Sequence, residues 1–121
     1  MTERFEQEYE EQERLLDPHR AEEQQRARQE AVDRLADRGI PVRRDDPDEE
    51  VGDLLDAVER FEDAVEARGG DLMVNRIGSS EPENAAFVPP ERRTGESVRA
   101  YRSRVEQATE QLRQGSDPTR Q

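Results

Sequence analysis

The chain has no cysteine, no tryptophan and no lysine, and its one histidine is His19. Without cysteine there are no disulfides, thiolate metal sites or cysteine nucleophiles. Without lysine the phosphate loop of nucleotide-binding proteins cannot be built, and GxGxxG, GxSxG and HExxH patterns are missing as well. No apolar run approaches the ~18 residues that a membrane span requires. The opening Met1-Thr2-Glu3-Arg4 lacks the basic-then-apolar order of a secretory signal, and neither end carries a lipidation motif. The expectation is a cytoplasmic protein, or one placed within a particle assembled there.

What is present is charge. The 121 residues include 31 acids against 19 bases, all arginine, for a net charge of −12. Charged residues make up 41 % and hydrophobic residues 30 %. That length suits one small domain and a tail, while the composition leans toward disorder. Arginine without lysine fits GC-rich coding or salt adaptation. The acidity argues against direct contact with nucleic acid or an anionic membrane, both of which attract a basic footprint. Most of it lies in residues 45–66, which hold eleven acids and only Arg60.

Periodicity predicts a mainly α protein. Residues 2–16 are rich in Glu and Gln and read as a polar helix carrying only Phe5, Tyr9, Leu15 and Leu16 as large apolar groups. Asp17-Pro18 restarts a second helix over 18–38, with Glu22/Arg26 and Glu30/Arg34 at i,i+4. Gly39 fits the left-handed stop position, with Ile40 reaching back to Leu35. Asp46-Pro47-Asp48-Glu49 reads as an Asp cap, Pro in the first turn and an acid three residues on. The helix that follows, about 47–68, repeats apolar residues at Val51, Leu54, Leu55, Val58, Phe61 and Val65. Gly69-Gly70 ends it. A last helix, about 95–114, aligns Val98, Tyr101, Val105, Ala108 and Leu112, with Thr94 as cap and Gly115 as stop. Between the two lie short extended segments near 71–75 and 86–89, either a hairpin or ordered coil.

The organisation expected is a polar helical arm over 1–44, a small helical domain over 45–115 and a frayed tail over 116–121. The last two helices are expected to pair antiparallel, bringing the arginines of 92–104 near Glu59, Glu62, Asp63 and Glu66. Tyr101 is expected in the core, and Phe87 and Val88 as a plug from the irregular loop 79–93.

No catalytic, cofactor or metal constellation emerges. His19 stands in a polar first turn without a His or Cys neighbour. Asp45 to Glu50 fails the calcium-loop pattern, with Val51 where Gly is needed and Ala57 where Glu is needed. Ser79 and Ser80 lie in no nucleophile motif. Two functional expectations remain. The first is a non-enzymatic interaction protein, such as a small adaptor, assembly factor or structural subunit. It would contact another protein or its own copies through Phe5, Tyr9, Leu16, Val32 and Leu35. The second is an acidic decoy that occupies a nucleic-acid-binding site on another protein, using Asp48, Glu49, Asp56 and Glu59 as its surface.

Overall fold

The computed structural model describes residues 18–115. It is mainly helical, with α1 over Pro18–Asp37, α2 over Asp48–Ala67, a single 3-10 turn over Ala85–Phe87, and α3 over Val98–Arg113. The expected helix over 2–16 and the tail over 116–121 lie outside the described residues. No helix among the described residues is long and apolar enough to cross a membrane.

Helix α2 is the centre of the fold and packs against both α1 and α3. Its apolar repeat is buried as the spacing predicts: Val51, Leu54, Leu55, Val58, Phe61 and Val65, joined by Ala57 and Ala64. Leu35 from α1, Ile40 just beyond it, and Val98, Tyr101, Val105 and Leu112 from α3 complete the core. Burying each Leu, Val or Phe side chain contributes ~1.5–3 kcal/mol. That burial offsets a composition which by itself leans toward disorder.

The ends of the first two helices follow the sequence closely. Gly39 takes φ 76°, its N–H bonds the Ala36 carbonyl at 2.9 Å, and Ile40 N–H bonds the Leu35 carbonyl at 2.9 Å. This is the Schellman stop, with buried Ile40 reaching back to buried Leu35. At the end of α2, Gly69 and Gly70 repeat the same pair of bonds, to Glu66 and Val65. The start of α3 differs from expectation. It begins at Val98, and the cap is Ser97, whose Oγ accepts from Ala100 N–H at 3.1 Å. Thr94 precedes the helix, in a turn where Glu96 N–H bonds the Arg93 carbonyl.

The helices do not pair antiparallel. Arg99 meets Glu50 and Arg102 meets Asp53, each at 3.2 Å. The residue offset is the same in both pairs, so α2 and α3 start side by side and run in the same sense. Helix α1 follows suit: Arg28 meets Asp48 at 2.7 Å, Arg34 meets Glu59 at 3.6 Å and Arg38 meets Glu62 at 2.9 Å. Glu59 and Glu62 are therefore answered by α1, not by the arginines of 92–104. Three helices running in one sense need two return segments, 38–47 and 68–97, and these lie together. Arg92 donates to the Pro41 carbonyl at 3.1 Å, and Arg43 donates to the Arg93 carbonyl at 3.4 Å.

Asp46 ties the two returns together, and this corrects its reading as a helix cap. Pro47 occupies the cap position of α2 without a side-chain bond. The Asp46 carboxylate turns inward and takes a two-pronged bond from Arg92, at 2.7 and 2.9 Å, and a third from Arg43 N–H at 2.7 Å. The Arg92 side chain is 1 % exposed and that of Asp46 8 %. Arg92 holds the Asp46 carboxyl below its ordinary range, chiefly by hydrogen bonding.

The segments near 71–75 and 86–89 do not form a hairpin: the first is a turn, the second leaves the 3-10 turn as coil, and no strand occurs among the described residues. Residues 71–75 turn on themselves, with Asn75 N–H bonded to the Asp71 carbonyl at 3.2 Å. The Pro89-Pro90 pair cannot donate ladder hydrogen bonds. It instead offers the Pro90 carbonyl to the Tyr101 hydroxyl at 2.7 Å.

Candidate interaction surfaces

Three surfaces stand out. The first is α1. Its C-terminal part is anchored by buried Ala31 and Leu35, and by the Arg38–Glu62 fork. Residues 19–27 are exposed on every side of the helix. Arg28 is half-buried and bonds the carbonyls of Arg43 and Asp46 and the Asp48 carboxylate. Glu30 and Arg34 form the expected i,i+4 pair at 2.9 Å. A helix this polar draws nothing from burial along that stretch, and each exposed pair contributes only ~0.2–0.5 kcal/mol.

The expected partner contacts fall into two groups. Phe5, Tyr9 and Leu16 lie outside the described residues. Leu35 is fully buried in the chain's own core and cannot be offered to a partner, while Val32 is half-buried against that core. Sequence spacing placed both on the one apolar stripe of the helix. The packing of α2 against α1 uses that stripe inside the molecule.

The second surface is acidic. Asp48, Glu49 and Asp56 are exposed and Glu59 is half-buried. Asp48 and Glu59 are bound to Arg28 and Arg34, so part of the stripe is neutralised within the chain. His19 is exposed on the first turn of α1. Among the described residues no group of three or more His, Asp or Glu side chains converges as metal ligands would.

The third surface was not apparent from the sequence. A cavity of about 290 Å³ opens between the end of α1, the middle of α2 and the coil over 72–89. Phe61, Leu72, Ile77, Phe87 and Pro89 form its apolar wall. Arg68 lies over the Phe87 ring, 5.8 Å from its centre. Met73 lines the cavity at 74 % exposure, and next to it Val74 is 37 % exposed. These are the exposed large hydrophobic residues of the described chain.

Local hydrogen bonding holds this coil in place. Asn75 is only 3 % exposed. It donates to the Asp71 carbonyl at 2.8 Å and to Glu83 at 3.0 Å, and accepts from Glu83 N–H at 2.9 Å. Glu83 also accepts from Asp71 N–H at 2.8 Å. The rim is charged but balanced. Arg38 grips Glu62 with two bonds of 2.9 Å, which raise the Arg38 pKa above its ordinary value. Arg76 donates to the Asp37 carbonyl, the last of α1.

A polar network sits at the other end, where α3 begins. Glu96 accepts from Arg104 at 2.6 and 2.8 Å and from Arg93 N–H at 3.0 Å. Hydrogen bonding to Arg104 lowers the Glu96 pKa to about 2. Tyr101 packs beneath, fully buried, with its phenol pushed up to about 12 by desolvation. These groups are satisfied by one another, which makes the network structural.

Comparison with family models, curated proteins and solved structures finds no match to this chain.

Proposed function

We propose that the chain is a non-enzymatic interaction protein, an adaptor, assembly factor or structural subunit that works by holding another protein or its own copies. The observation that supports this is α1. Residues 19–30 extend for ~18 Å at 1.5 Å per residue, and none of them is fully buried. A helix that is polar all round is typical of segments that bridge to something else. It is rooted in a core that α2 and α3 complete, so the body can display it rigidly. Phe5, Tyr9 and Leu16 precede it in the chain and supply the large apolar contacts that α1 itself lacks.

The test is a Phe5→Ala/Tyr9→Ala variant of the tagged full chain, compared with the parent in co-purification. Far-UV circular dichroism and the urea midpoint of both proteins are measured alongside, so that a loss of contact is told apart from a loss of fold. The reading expects the bound species to fall at least tenfold. Equal recovery from parent and variant would count against these contacts.

A further inference from the structure

We infer that the cavity beside Met73 is a binding site for a small, uncharged, largely apolar molecule bearing an aromatic or branched group. This stands apart from the interaction reading, which uses α1.

Volume is the first argument. An apolar cavity of ~150 Å³ suffices for benzene. The 290 Å³ here admits a fused bicyclic ring or a substituted one. Shape is the second. Phe61 and Phe87 supply aromatic faces and Pro89 a flat ring edge, while Leu72 and Ile77 supply branched aliphatic surface. Met73 at the mouth brings a flexible, polarisable thioether suited to varied apolar guests.

Charge is the third argument, and it sets the ligand class. Two cations, Arg38 and Arg76, and two anions, Asp37 and Glu62, line the cavity. Arg38 is committed to Glu62 through two bonds, and Arg76 is drawn to the carbonyl end of α1. The four charges sum to zero, so a charged guest would meet no net counter-charge to offset its lost hydration. Preorganisation is the fourth. The Asn75–Glu83–Asp71 bonds fix the coil that carries Leu72, Met73 and Ile77, so a guest need not order it.

The chain offers a direct readout, because Met1 and Met73 are its only methionines. The full chain labelled with ¹³C-methyl methionine is titrated with indole, and with benzoate and benzylamine as charged probes. The expected result is a saturable shift of the Met73 methyl with a midpoint of roughly 0.1–1 mM. Benzoate and benzylamine should bind at least fivefold more weakly. Ile77→Trp and, independently, Leu72→Phe fill the cavity and should weaken indole at least tenfold. Far-UV circular dichroism identifies which of these variants retains the fold. The proposal is overturned if Met73 shows no saturable shift by about 10 mM indole. It is also overturned if a folded, filled variant binds as the parent does, or if a charged probe binds as well as indole.

Discussion

Replacing Asp46 separates two accounts of how the fold is closed. Arg92 has five N–H donors, and all five are used. Two go to Asp46, at 2.7 and 2.9 Å, one to the Pro41 carbonyl at 3.1 Å, and two to the Glu96 carbonyl at 3.0 and 3.2 Å. Asp46→Ala leaves this buried guanidinium without its counter-ion, and breaking a buried pair costs about 3–5 kcal/mol. That is a large part of the ~5–15 kcal/mol that stabilises a typical domain. Asp46→Asn discriminates further. Asn and Asp serve almost equally as helix caps, so a capping role would tolerate the change within a few tenths of a kcal/mol. The tie to Arg92 needs both carboxylate oxygens, and its loss should cost about 2 kcal/mol or more. Urea unfolding followed at 222 nm measures both variants. The double variant Asp46→Ala/Arg92→Met removes both charges, and should be more stable than the two single losses imply by roughly 1–3 kcal/mol. The reasoning fails if Asp46→Ala costs under about 1 kcal/mol, or if the two substitutions add within ~0.5 kcal/mol.

Other outcomes follow from the same contacts. Glu96 is depressed from 4.5 to about 2 when folded, so its stabilisation is present above the unfolded value and lost as pH falls from 4.5 toward 2. The urea midpoint should drop across that window, and Glu96→Gln should flatten part of the drop. Tyr101 is displaced the other way, from 10.0 to about 12, so its contribution is full below pH 10 and is lost as pH rises toward 12. Absorbance at 295 nm should show one phenol ionising late, and Tyr101→Phe should cost ~1 kcal/mol through the lost bond to Pro90. Gly70→Ala should destabilise by ~1–3 kcal/mol, because a methyl there meets Val65 Cγ1 at 2.5 Å and Phe87 Cδ2 at 2.9 Å. Charge reversal at Glu49 and Asp56, the exposed acids of the set not bound to Arg28 or Arg34, should leave partner binding intact under the interaction reading and weaken it under the decoy reading. Co-purification of the reversed chain distinguishes the two.

Local features were legible in the sequence because their causes are local. The stop at Gly39 needs only a glycine, a following apolar Ile40 and a Leu35 one turn back. The buried face of α2 needs only its spacing. Asp46 was misleading because the same residue type serves as a cap and as a counter-ion. The choice was made by Arg92, 46 residues away. The direction of the helices was hidden for a similar reason. Amphipathic faces show that α2 and α3 pair, but the sense is fixed by the length of the coil over 68–97 and by the Glu50–Arg99 and Asp53–Arg102 pairs. Residues 71–75 read as extended because Leu72, Met73 and Val74 are apolar. Their turn is closed by Asp71, whose carbonyl accepts from Asn75 N–H and whose carboxylate accepts from Met73 N–H, and Glu83 then ties it to the next stretch of coil. The cavity draws Arg38, Phe61, Leu72 and Phe87 from four separate stretches of chain, and no window of sequence contains it. The exposed Met73 between Leu72 and Ile77 was the one available signal, and in sequence it reads as part of an ordinary apolar patch.

The central claim is that the chain acts by holding a protein partner through apolar contacts. Its most direct test is co-purification with the tagged full chain after nuclease treatment, carried out at low and at high salt and read by mass spectrometry. The account predicts a defined partner, or untagged copies of the chain itself, recovered equally at both salt concentrations. Recovery of a nucleic-acid-binding protein that is released at high salt would contradict it, as would recovery of nothing above an untagged control.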